Sequence, residues 1–279
     1  MKTIADLIVL VFVVSSILSV SLDLSWQQIA VPLRQIRLVA LSLLVNFIIV
    51  PLFAVAIARG LALGEPQAVG LILLGSAAGA PFLPKLIETA RGNVALSVAL
   101  MVVWMVGSLI WLPVSLPYML PGVSVNALQI ARSLLLTMIL PLGIGLVLKR
   151  WLPAWAGRLR VPLNAISQLT LVVSLVLICV DQFRGLQQLI VSWAIPACVG
   201  LLVLSFGSGY VFGGGAKGSR QVLAFGTAAR NIPAALLIGG QNFEHPHVVL
   251  MIVLSALISV AVFVPASLIV ARRSQPAVY

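Results

Sequence analysis

The sequence predicts an all-α polytopic membrane protein, and three observations carry that prediction. Hydrophobic residues make up 61% of the 279 positions and charged residues 8%, whereas a soluble domain carries about 25% charged residues. Apolar runs of roughly 20 residues, the length that crosses a bilayer as a helix, recur along the whole chain. The six acidic residues, Asp6, Asp23, Glu65, Glu88, Asp181 and Glu244, fall at or near the ends of those runs.

On that ruler the chain divides into about nine transmembrane helices. The first, 3–21, follows Lys2. Asp6 interrupts its start and no small-residue cleavage site follows, so it reads as a retained span rather than a signal peptide. The second, 37–58, is flanked by Arg37 and Arg59 and contains Asn46 and Pro51. The third, 66–89, is interrupted by Gly79-Ala80-Pro81-Phe82-Leu83-Pro84-Lys85, and the fourth, 93–117, carries Pro113 near its end. The fifth, 127–148, stops at Lys149-Arg150; the sixth, 163–183, carries Asn164, Ser167 and Gln168 on one face at i, i+3, i+4. That polar face either wets one wall of a cavity or joins two helices. The seventh, 188–212, runs into Gly213-Gly214-Gly215-Ala216-Lys217-Gly218-Ser219, which lacks P-loop spacing and reads as a flexible loop. The eighth, 220–240, is interrupted by Ala228-Ala229-Arg230-Asn231-Ile232-Pro233, and the ninth, 248–271, contains Pro265 and stops at Arg272-Arg273. The longer connections, 22–36 and 149–162, hold Trp26, Pro32, Trp151, Pro153 and Trp155 and read as segments lying along the interface.

The formal net charge of +11 sits mostly in short loops, which assigns it to membrane orientation and not to nucleic acid. Arg34, Arg37, Arg91, Lys149, Arg150, Arg158, Arg160, Lys217, Arg220, Arg272 and Arg273 gather on one side, against Lys2, Arg59, Arg132 and Arg184 on the other. The positive-inside rule then predicts a cytoplasmic C-terminus and an outer N-terminus in a multi-pass protein of the cell inner membrane. Cys179 and Cys198 lie in apolar runs and read as packing residues. His245 and His247 flank Pro246 in a short outer loop without further ligands, a poor metal site, so neither a metal nor a cofactor is expected.

The third and eighth spans echo one another. Each is broken by a proline beside a basic residue, and each is followed by a long apolar helix with a proline near its end. They are an odd number of spans apart, so they enter the membrane from opposite sides. The chain therefore reads as one membrane transporter domain, 1–279, of two inverted repeats, 1–117 and 127–271, with the binding site at the paired breaks.

Buried cations are costly in hydrocarbon and face a cavity or a partner, which makes Lys85 and Arg230 the leading site candidates. Arg230 lies 10 residues beyond Arg220, deep in its span. Lys85 has two readings: it lines the cavity, or it snorkels toward the cytoplasmic face with Glu88 and Arg91 close behind. Asn46, Ser76, Ser97, Thr227 and Asn231 are the other polar residues around the breaks; such residues mostly join helices, and Asn231, beside Arg230 and near Pro233, is the one favoured as a substrate ligand.

Ala90-Arg91-Gly92-Asn93-Val94-Ala95-Leu96-Ser97-Val98-Ala99, together with Asn46-Phe47 and Pro51 and with Arg230-Asn231, resembles the bile acid:sodium symporter family. The order of elements fits its shorter form, which lacks the first helix of the first repeat. The resemblance implies a panel domain and a core domain, with the two broken helices crossing in the core beside the substrate cavity and the core moving against the panel. It also implies sodium sites, most of whose ligands are replaced in this chain. The family's Ser-Asn pair of the first break is Leu83-Pro84; Ser97 is retained, but the threonine one turn later is Met101. The shared glutamate of the second break falls at Gly226, the following glutamine at Arg230, and the glutamine of the second span at Asn46. The expectation is a secondary transporter of a small organic anion, with Lys85, Pro84, Arg230, Asn231, Asn46, Ser97 and Thr227 at the substrate site and fixed cations in place of sodium. The alternatives are a sodium-coupled symporter using the remaining oxygens, with sodium or a proton as the coupling ion, and a membrane binding protein that does not transport. A lipid-modifying enzyme is disfavoured, since no acid, base or metal-ligand cluster lies within the spans.

Overall fold

The computed structural model describes residues 2–24, 27, 34–120 and 126–273. Trp26 and Pro32 lie outside the described residues. The described chain is helical: α1 (Lys2–Ser21), α2 (Ile36–Gly60), α3 (Glu65–Ser76), α4 (Leu83–Thr89), α5 (Val94–Met119), α6 (Ala127–Trp151), α7 (Pro153–Asp181), α8 (Phe183–Val191), α9 (Ala194–Phe212), α10 (Lys217–Ala228), α11 (Ile232–Asn242) and α12 (Pro246–Arg273). Seven of the segments, counting Gly218–Asn242 as one, are long and apolar enough to cross a membrane, and Leu7–Ser21 is a shorter apolar helix.

Prolines shape these helices from within. In α2 a π-helical turn over Val45–Ile49 precedes Pro51; in α6 an equivalent turn over Leu135–Ile139 precedes Pro141. A proline supplies no N–H to the preceding turn and crowds its carbonyl, so the ladder widens locally without breaking.

Three boundaries differ from the sequence expectation. The segment 149–162 is not an interfacial connection: α6 runs to Trp151 and α7 starts at Pro153. Proline is preorganised for the first helical position, so it starts the next helix at once. Near this junction the Arg158 guanidinium lies 5.8 Å from the centre of the Trp155 ring. The seventh span does not begin at 188. A separate helix, α8, ends at Val191, Ser192 is extended, and the membrane helix α9 begins at Ala194. Pro196 explains this, because its ring clashes with a helical carbonyl four residues earlier, at Ser192. The glycine run is also shorter than expected as a loop, since α10 opens at Lys217.

Helix α1 packs along α7 and α6. Small residues permit the approach, as membrane helix pairs require: Ser19 Oγ donates to the Arg160 carbonyl at 3.3 Å, and a Cβ at Gly145 would overlap Ser21. The rest of the protein is built around α3 and α11, whose residues 69–76 and 232–239 are all buried. The most apolar stretch of Gly218–Asn242 is enclosed entirely by other helices, so this segment meets protein on every side instead of lipid.

Candidate functional site: two helix breaks in contact

Both broken spans are broken in the structure, and the breaks touch. The first leaves helix at Ala77, passes Gly79 at φ +88°, and resumes at Leu83 with Pro84 in the first turn. Gly79 is required twice: its φ lies in the left-handed region, and a Cβ there would stand 2.5 Å from the Met105 amide nitrogen. The second leaves helix at Ala229 and resumes at Ile232 with Pro233 in the first turn.

Helix ends leave carbonyls and amides without helical partners, and inside a membrane each must find one. The Asn231 amide nitrogen donates to the Ala77 carbonyl at 2.9 Å. Its side chain caps α11 by accepting from the Ala234 amide at 3.1 Å, and its Nδ2 donates to the Ala78 carbonyl at 3.4 Å. Ser108 Oγ accepts from the Ala78 amide at 2.9 Å and donates to its carbonyl at 3.0 Å.

Arg230 holds the remaining carbonyls. Nη1 donates to the Thr227 carbonyl and to Asn46 Oδ1, both at 2.9 Å. Nη2 donates to the Gly75 carbonyl at 2.5 Å and Nε to the Leu74 carbonyl at 3.3 Å. The guanidinium thus sits where α3 and α10 both end, at the negative poles of two helix dipoles. Arg230 is 4% exposed. Among the described residues the ion pairs are Lys85–Glu88 and Arg160–Asp23, so the charge of Arg230 is held by neutral dipoles alone. Asn46, in the π-turn of α2, completes the cluster: its Nδ2 donates to the Ser42 carbonyl at 3.0 Å and to Thr227 Oγ1 at 3.4 Å.

The seven residues singled out in the sequence therefore separate. Asn46, Thr227, Arg230 and Asn231 come together, all buried. Ser97 is buried in α5 and donates to the Val94 carbonyl of its own helix at 2.7 Å. Pro84 is half-buried in the first turn of α4. Lys85 is not in the crossing: its side chain is 79% exposed and its Nζ lies 2.7 Å from Glu88 Oε2 one turn on. The crossing holds one fixed cation, not two, because Lys85 projects from the far side of Pro84 and finds its carboxylate there.

Sequence reasoning missed Trp104. Its indole is fully buried, and Nε1 donates to Ser42 Oγ at 3.0 Å. A Cβ at Gly226 would stand 2.5 Å from the Trp104 ring and 2.9 Å from Leu83 Cδ2. The position that the resemblance assigns to an acidic side chain is therefore packed with apolar atoms, Met101 also being fully buried. The available signal was a tryptophan in the middle of an apolar span, away from the interfaces that tryptophan favours.

The sequence profile described as the Sodium Bile acid symporter family matches residues 7–193, a stretch that includes the first break and stops before α9. The chain is also similar to the rice (Oryza sativa subsp. japonica) protein named probable sodium/metabolite cotransporter BASS2, chloroplastic, with 30% identity over 144 residues. That match covers 51% of this chain and 34% of the rice protein. With a profile match over more than half its length, the chain belongs to the Sodium Bile acid symporter family, whose members are membrane transporters.

Proposed function

We propose that the protein is a secondary active transporter of a small organic anion, working by alternating access without sodium. One observation carries the reading: the Arg230 guanidinium donates to the Leu74, Gly75 and Thr227 carbonyls and to Asn46 Oδ1, a set of oxygens of the kind that would otherwise coordinate a hard cation. Nine spans in two inverted repeats, 1–117 and 127–271, would place the breaks at the centre of a core that moves against a panel of α1, α6 and α7. The basic loops put the C-terminus in the cytoplasm, and the cell inner membrane is the expected location.

The arrangement explains how a fixed charge serves transport. Sodium in a symporter neutralises the carbonyl ends of broken helices and leaves with the substrate. A tethered guanidinium neutralises them permanently, so the crossing stays intact through the cycle while its positive field favours an anion nearby. Arg230 is enclosed and bonded to protein, so it acts on substrate through that field and not by contact. Trp104 and Leu83 supply the same permanence with apolar volume at the other position.

The test is uptake of labelled organic anions into proteoliposomes, with sodium replaced stepwise by choline at constant ionic strength. Uptake unchanged by the replacement is expected; uptake rising steeply with sodium would refute the reading. The rice relative's name, a sodium/metabolite cotransporter, makes that contrast informative.

A further inference from the structure

The two breaks restart alike, with a proline in the first turn of α4 and of α11, but the helices that follow are covered differently. Helix α4 packs on α5, α10 and α12 and leaves Phe82, Lys85 and Glu88 exposed. Helix α11 packs on α3 and α12 and, besides these, on α1 and the start of α6. The second broken span is therefore joined to the panel helices at one face of the membrane, the face away from Lys149-Arg150 at the other end of α6.

Part of that join is polar. Ser133 Oγ donates to Gln241 Oε1 at 2.5 Å, and Gln129 Nε2 donates to the Gln241 carbonyl at 3.4 Å. Ser15, Ser42, Ser97 and Ser174 each donate to a carbonyl of their own helix three or four residues back; Ser133 instead reaches a side chain 108 positions along the chain. Its own helix is held on both sides of it. Asn126 caps α6 by accepting from the Gln129 amide at 3.0 Å, and Thr137 Oγ1 donates to the Ser133 carbonyl at 2.7 Å.

Solvent access separates these bonds from those of the crossing. Asn46, Arg230 and Asn231 are buried, so parting them would strand polar groups without water. Gln129 and Gln241 are exposed and Ser133 is half-buried, so each can exchange its partner for water. A hydrogen bond traded in that way changes an equilibrium constant by roughly two- to tenfold. The join can thus open and close where the crossing cannot. Helix α11 is 11 residues long, about 16 Å, and Asn231 at its start is bonded to the Ala77 and Ala78 carbonyls. A displacement of Gln241 is therefore carried to both breaks.

We propose that Gln241, held by Ser133 and Gln129, is a latch that closes the path at the face away from the basic loops, and that its release lets α11 and the crossing move off α1 and α6. This rests on the transporter reading and names the side-chain contact that must part in each cycle.

The test uses Thr137, one turn beyond Ser133 on α6 and buried. Thr137→Cys is placed in the full-length chain with Cys179→Ser and Cys198→Ala, in sealed vesicles of known orientation, and its reaction with the membrane-impermeant sulfonatoethyl methanethiosulfonate is timed. Ser133→Ala with Gln241→Leu is expected to speed that reaction about tenfold from the face away from the basic loops, and Ser133→Thr, which keeps the hydroxyl, to leave it unchanged. An unchanged rate in the double variant, or an equal rise in Ser133→Thr, would overturn the proposal. A second arm bridges Ser133→Cys to Gln241→Cys with the bifunctional reagent ethylene bismethanethiosulfonate. The bridged protein is expected to stop taking up the labelled anions of the transport assay and to resume on reduction; uptake at full rate through the bridged pair would overturn the latch and leave the transporter reading in place. Labelling at position 137 is read without flux, so a latch that opens as expected in a protein that moves no anion would remove the transporter reading and leave the latch standing.

Discussion

The first interruption, residues 77–82, and the second, residues 229–231, are built alike: each helix ends on an extended alanine and restarts with a proline in its first turn. Their side-chain chemistry is opposite. The first is neutral where it meets the second, held by a left-handed glycine and by Ser108. The second carries Arg230 and Asn231, which reach back to the carbonyls of Leu74, Gly75, Ala77 and Ala78. One break accepts and the other donates. The cation of the second break thus answers the carbonyls that the first break leaves open.

The largest effect should come from restoring an acidic side chain beside the second break. Gly226→Glu drives a carboxylate into the Trp104 ring and Leu83, combining overpacking with a desolvated charge at about 5 kcal/mol or more. Its accumulation in membranes should collapse, whereas Gly226→Ala should lose about 1–3 kcal/mol in detergent unfolding. Equal behaviour of the two variants would mean that the space is not filled as described.

Removing the donor break's charge comes next. Arg230→Leu strands the Gly75 and Thr227 carbonyls and Asn46 Oδ1, the Leu74 carbonyl keeping the Ala77 amide, which should cost at least about 3 kcal/mol of stability. Arg230→Lys keeps the charge but loses the fork and should fall between. Full stability of Arg230→Leu would show that the carbonyls find other partners.

Smaller again is Asn231→Ala, which deletes the cap of α11 and the bond to Ala78 and should cost about 1–2 kcal/mol. Least of all, Lys85→Gln removes a solvent-exposed pair with Glu88 and should leave the unfolding midpoint unchanged. A midpoint drop in Lys85→Gln equal to that of Asn231→Ala would erase the distinction between the buried and the exposed cation.

Both breaks were legible in the sequence, because prolines and single cations inside apolar runs are local signals; the bond from Arg230 to Asn46, 184 positions away in the chain, was not. The start of α9 was legible too, through Pro196, but an apolar window centred on hydropathy runs past a proline without registering its clash. What could not be read locally was pairing across the fold. That Trp104 fills the space over Gly226 depends on α5 meeting α10, 122 positions apart by subtraction of their numbers. Lys85 and Arg230 look alike as cations beside prolines, and only tertiary placement makes one exposed and the other enclosed.

The proposal that the Arg230 guanidinium takes the place of a bound sodium ion is tested most directly by following thermal unfolding of the purified protein in detergent as sodium chloride replaces choline chloride. A ligand at 100 times its dissociation constant stabilises by about 2.7 kcal/mol, well within detection. Wild-type protein should show no shift, while Arg230→Gln, with the charge gone and a side-chain oxygen restored, should gain a saturable stabilisation by sodium. Saturable stabilisation of the wild type by sodium would contradict the account.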